Sequence, residues 1–91
     1  MKARVHMLVS GEVQGVFFRS RTKYKAEQLG VKGWIRNLPD GRVESVLEGE
    51  ADAVNSLVDF CRQGSRGALV KNVDLTWEDF VGEFGEFEIK Y

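Results

Sequence analysis

The chemistry in this chain is concentrated between Gly11 and Arg19. Gly11-Glu12-Val13-Gln14-Gly15 forms a glycine-bounded loop, and an arginine follows at the start of a helical pattern. Backbone N–H groups at a helix start lack internal partners, and the helix dipole adds partial positive charge there. Gly15 lets the chain curl so that successive N–H groups converge on an anion. Arg19 adds a planar fork that matches two phosphate oxygens. The segment reads as a phosphate cradle, although an ordinary strand-to-helix loop with a surface arginine would have much the same composition. A second polar residue, Asn37, ends a later strand and could orient a water. Taken alone it is equally a strand-end turn residue.

Other chemistries lack their residues. A nucleotide-type phosphate loop needs Gly-Lys-Ser/Thr, and Gly15 is followed by Val16-Phe17-Phe18. A thiol nucleophile would have to lie in the anion loop, but the single cysteine, Cys61, falls on an apolar helical stripe and reads as core. His6 lies mid-strand, away from the loop, and reads as structural. No His/Cys cluster has metal-ligand spacing. Glu48-Gly49-Glu50 and Glu78-Asp79 read as solvated strand ends and a helix start. A phosphate site without nucleophile, metal or dedicated base suits a substrate whose leaving group departs without a proton. Acyl phosphates meet that condition, because a carboxylate leaves, and positioning with charge stabilisation does the remaining work.

The elements that must position these residues follow from periodicity. Ala3 to Ser10 alternates as a strand, and Phe18, Thr22, Ala26 and Leu29 fall at helical spacing before Gly30. Gly33 to Asn37 and Arg42 to Glu48 form a hairpin across Leu38-Pro39-Asp40-Gly41. Val54, Leu57, Val58 and Cys61 mark a second helix, followed by the loop Gly64-Ser65-Arg66-Gly67. Val73, Leu75 and Trp77 alternate as a fourth strand, and Phe87, Ile89 and Tyr91 suggest a short fifth. The order βαββαβ plus a terminal strand predicts an α+β, ferredoxin-like split βαβ fold: an antiparallel sheet with both helices on one face. In such a unit the first and second strands run parallel, so Asn37 and the anion loop share a sheet edge.

The totals fit one small domain spanning residues 1–91. Thirteen Lys and Arg against 14 Asp and Glu give a net charge of −1, without the global positive field of a duplex binder. The third strand carries no aromatic residue, so an RNA-stacking platform is missing. A lone cysteine fits a reducing compartment, and no apolar run approaches the ~20 residues of a membrane span. The expectation is a cytoplasmic monomer with no nucleic-acid or membrane partner. The initial methionine and the terminal strand favour a whole protein over a module of a larger carbamoyl-transfer enzyme.

Two segments closely resemble the signatures of the acylphosphatase family. They are Gly11-Glu12-Val13-Gln14-Gly15-Val16-Phe17-Phe18-Arg19 and Gly33-Trp34-Ile35-Arg36-Asn37-Leu38-Pro39-Asp40-Gly41-Arg42-Val43-Glu44. The resemblance implies hydrolysis of acyl phosphates to a carboxylate and inorganic phosphate. It gives Arg19 the phosphoryl group, completes the cradle with the amides of Gln14, Gly15, Val16, Phe17 and Phe18, and has Asn37 hold the attacking water. It implies no cofactor and no metal, and it makes inorganic phosphate a competing ligand. The chain departs from the family pattern in its acidic Glu12 and in Gly64-Ser65, where relatives commonly carry Gly-Pro.

Overall fold

The computed structural model describes residues 1–64 and 67–91. Seven elements follow in order: β1 (Lys2–Glu12), α1 (Phe18–Leu29), β2 (Lys32–Asn37), β3 (Val43–Glu50), α2 (Ala51–Gln63), β4 (Leu69–Glu78) and β5 (Phe87–Lys90). They form a ferredoxin-like α+β fold with sheet order β4-β1-β3-β2-β5. The β1–β3, β1–β4 and β2–β3 pairs are antiparallel, and β5 extends the sheet parallel to β2. Ser65, the replacement in the loop after α2, lies outside the described residues, as does Arg66.

Alternation decides which face is covered. Val5, Met7 and Val9 of β1 lie opposite Leu47, Ser45 and Val43 of β3, and all six are buried. Together with Ile35 and Phe87 the five apolar ones pack under Phe18 and Ala26 of α1 and under Val54, Leu57, Val58 and Cys61 of α2. The helical stripes read from spacing are therefore the buried ones. Burying each large apolar side chain contributes roughly 1.5–3 kcal/mol, against the chain entropy lost on folding.

β1 continues past the strand expected from the sequence, and the reason is a bulge. Its register against β4 shifts between Ser10 and Gly11. Gly11 has φ 129°, and a Cβ there would collide with the Leu69 carbonyl. Glycine thus admits a close backbone approach that carries pairing through Glu12, opposite Leu69.

One expectation about acidic residues is overturned. Glu48 is not a solvated strand end: it is 2% exposed. Its Oε2 accepts hydrogen bonds from Arg4 Nη1 at 3.0 Å, Val81 N at 2.9 Å and Gly82 N at 3.1 Å. Arg4 also donates to Glu78 at 2.9 Å and Glu83 at 3.1 Å. Arg4 and Glu48 face each other across β1 and β3, on the sheet side away from the helices. The segment between β4 and β5 crosses over them and closes the network. Glu50, as expected, is exposed, and it pairs with the N-terminal amine and Lys2.

Burial pushes the Glu48 carboxyl up, but the Val81 and Gly82 amides and Arg4 outweigh it and hold the group below its ordinary range. A depressed folded-state pKa contributes stability above the unfolded pKa, and that stability is lost as pH falls through the folded value. Glu48→Gln should therefore destabilise the protein by about 2–3 kcal/mol near neutrality. In urea denaturation the gap between wild type and variant should close as the pH falls below about 4. A pH-independent gap would contradict this account of Glu48.

Candidate active site

The segment joining β1 to α1 is held at both ends by its own sequence. Val13 is buried and ties the loop into the core. Gly15 has φ 75°, with open space where a Cβ would stand. Phe17 has φ 62° and ψ 20° and is the one non-glycine residue with positive φ among those described. An aromatic residue held in the left-handed region costs on the order of 1 kcal/mol, and such strain clusters at functional sites. No side chain caps α1, so the N–H donors of its first turn find no partner in a cap residue. From within the helix, Thr22 Oγ1 donates to the Phe18 carbonyl at 2.8 Å.

Val13, Gly15, Phe17, Phe18, Arg19 and Ser20 line a depression of about 290 Å³. Of the residues expected to bind phosphate, Gly15, Phe17, Phe18 and Arg19 thus meet at one surface. Phe18 contributes through its backbone, since its side chain is buried. Val16 packs half-buried against the core and does not line the depression. Glu12 is exposed at the end of β1 and does not line it either.

Gln14 has a part that spacing did not reveal. Its Nε2 donates to the Leu38 carbonyl at 2.8 Å and to the Arg42 carbonyl at 2.9 Å. Those carbonyls flank the β2–β3 turn, so one amide clamps the loop to the strand end that carries Asn37. Asn37 itself does not line the depression. By alternation it shares the helix-covered sheet face with Ile35. Its Oδ1 is buried and accepts no hydrogen bond from the described residues.

Arg19 is the charged residue of the depression. The Tyr91 ring lies 5.1 Å from its guanidinium carbon, a cation–π contact brought by the end of the chain. The three other arginines of the strands and turn, Arg4, Arg36 and Arg42, each pair with carboxylates. Among the described residues Arg19 is in no such pair, which leaves its fork for an external anion.

The remaining nucleophile candidates stand apart. Cys61 is buried in the core, and burial pushes its thiol up to about 12, with Thr22 as a weak opposing partner. His6 bonds Glu44 Oε2 at 2.7 Å on the uncovered sheet face, beside Arg36. Among the described residues, no three His, Cys, Asp or Glu side chains gather as metal ligands would.

Comparison with known proteins gives this geometry its family. The family model described as Acylphosphatase matches residues 5–89. The chain belongs to the acylphosphatase family. It is similar to an acylphosphatase of Syntrophus aciditrophicus, at 52% identity over 100% of this chain and 95% of that one. Its structure is similar to the acylphosphatase from Bacillus subtilis, with a TM-score of 0.94 and 33% identity over the whole of both chains. It also matches an acylphosphatase from Coxiella burnetii, with a TM-score of 0.91 and 38% identity over 98% of this chain and 93% of that one. The chain is accordingly an enzyme that hydrolyses the carboxyl–phosphate bond of acyl phosphates. Among the described residues no helix is long and apolar enough to cross a membrane.

The clamp makes a distinct forecast. Gln14→Ala would remove two hydrogen bonds to half-buried carbonyls and cost about 1–3 kcal/mol of stability. Because the loop would then sample positions away from Asn37, kcat/KM should fall about tenfold. Urea denaturation and steady-state kinetics on the same variant check both. Unchanged kinetics would show that the loop holds its place without the clamp.

Proposed function

We propose that Arg19 and the backbone amides from Gln14 through Phe18 bind the phosphoryl group, and that Asn37 holds the water that attacks it. The observation that carries this reading is the buried, unpartnered Asn37 Oδ1 at the sheet edge that also bears the Arg19 depression. A buried acceptor without a donor is costly, and a water that donates to it would be oriented by that bond. With one proton so engaged, the water oxygen presents a lone pair to phosphorus.

Hydrolysis then needs few protein groups. The water oxygen bonds to phosphorus while the bond from phosphorus to the acyl oxygen breaks. The electron pair leaves on a carboxylate, which is stable at neutral pH without protonation. The water's proton passes to a phosphoryl oxygen of the substrate, in keeping with a depression whose lining carries no carboxylate or histidine. Arg19 and the amides face the charge that builds on the phosphoryl oxygens. No step calls for a metal or cofactor. Residues 1–91 act in this scheme as one domain and as a cytoplasmic monomer, with inorganic phosphate competing for the cradle and neither nucleic acid nor membrane taking part.

Two substitutions separate the roles. Arg19→Ala should lower kcat/KM for acetyl phosphate by about a thousandfold and weaken inhibition by inorganic phosphate. Asn37→Ala should lower kcat by about a hundredfold while the phosphate inhibition constant stays within about twofold, because it touches the water rather than the phosphoryl group. Chelator treatment should leave the wild-type rate unchanged. If Asn37→Ala weakened phosphate binding as much as it slowed turnover, its assignment to the water would fall.

A further inference from the structure

Beside the phosphate depression runs a second groove of about 490 Å³, lined by Ser20, Arg21, Tyr24, Lys25 and Gln28 of α1 and by Phe60 of α2. Ser20 lines both hollows, so the two are neighbours. The helix buries Phe18, Thr22 and Ala26 toward the sheet. Ser20, Tyr24 and Gln28 therefore form a row on its outer side, with Arg21 and Lys25 in the adjacent row.

We infer that this groove receives the acyl half of the substrate, and that it favours acyl groups with an apolar body and a second, distal anion. The inference rests on the cradle described above. In a displacement at phosphorus, attacking and leaving oxygens lie in line. Asn37, which holds the water in this reading, lies on the helix-covered sheet face, whereas the groove lies on the outer side of α1. An acyl group leaving opposite that water finds the groove next to the depression, at Ser20. Tyr24 lies one helical turn further on, about 5–6 Å along the axis. An acetyl group ends before that turn, whereas an aryl or longer acyl group reaches it.

The lining supplies two different attractions at that distance. Tyr24 is 65% exposed and presents an aromatic surface at the groove, with Phe60 as the contribution of α2. Lys25 is held in place by the same ring, its Nζ 5.9 Å from the Phe60 centroid. Among the described residues neither Arg21 nor Lys25 is in an ion pair. Asp59 shares a neighbouring hollow with Lys25 without pairing with it, which leaves two cations one turn apart for an anion carried on the far end of the acyl group.

Three substrates test the assignment: acetyl phosphate, benzoyl phosphate and 4-carboxybenzoyl phosphate, which differ in apolar body and distal charge. The readout is the ratio of kcat/KM values within each variant, which cancels changes common to all substrates. In Tyr24→Ala the benzoyl-to-acetyl ratio should fall about fivefold from the wild-type value. In the double variant Arg21→Gln, Lys25→Gln the 4-carboxybenzoyl-to-benzoyl ratio should fall about tenfold at low salt, with a smaller fall at high salt. Ratios that stay at their wild-type values in both variants would overturn the inference. Arg19→Ala tests the cradle independently: undiminished hydrolysis of acetyl phosphate there would sink the cradle, whatever the ratios in the groove variants.

Discussion

Two strands that both pair antiparallel with a third must run parallel to one another, and the site depends on that constraint. β3 lies between β1 and β2 in this sheet, so the ends of β1 and β2 emerge at one edge. The chain leaving β1 must turn there before crossing as α1, which puts an uncapped helix start at the edge where β2 ends in Asn37. The topology thereby carries Asn37, at the end of the second strand, to the sheet edge where the loop from Gln14 and the adjoining Arg19 begin the crossover. The bulge at Gly11 and the Gln14 clamp then refine the position of the loop.

The two faces of the sheet divide the work. The covered face holds the apolar core and, at its edge, the site. The other face is held by charge: Arg4 gathers Glu48, Glu78 and Glu83, while Glu44 joins His6 and Arg36. Lys90 and Arg36 lie against the two-ringed Trp34 on that same face, so β5 is tied to β2 through side chains as well as backbone. This matters to the site because the residue that follows β5 is Tyr91, the ring beside Arg19. Interactions on the uncovered face thus bear on the setting of Arg19.

Much of this was legible in the sequence because periodicity is a local property. Val5, Met7 and Val9 alternate, and Val54, Leu57, Val58 and Cys61 repeat at helical spacing, so both faces could be assigned before any contact was known. The shared edge of the loop and Asn37 followed from topology alone. Glu48 was misread because its burial depends on partners far along the chain: Arg4 lies 44 residues away and Val81 33. Beside Gly49 and Glu50 it has the composition of a surface turn, and nothing local reveals that another segment folds over it. The Gln14 clamp was hidden for a similar reason, since its acceptors are backbone carbonyls, which every residue carries. Phe17 was hidden because an aromatic residue is a poor guide to a left-handed backbone; Gly15 advertised the curl and Phe17 shares it.

The proposed site is made mostly of backbone, which suits so small a chain to a phosphoryl group. Amides cost no side-chain entropy to aim once the loop is fixed, and they carry no counter-charge that needs a partner of its own. A cradle built from several lysines would instead repel itself when empty and would demand acidic neighbours, which would then compete for the cations. In the proposed cradle one arginine, in no ion pair among the described residues, supplies the formal charge, and the donors come from a loop whose shape is set by Val13, Gly15 and Phe17. Fixing that loop is therefore the main structural task of the site. The clamp from Gln14 to the β2–β3 turn does this at the point where the strand bearing Asn37 ends, so that the loop and Asn37 are tied into one piece of backbone rather than two independent ones.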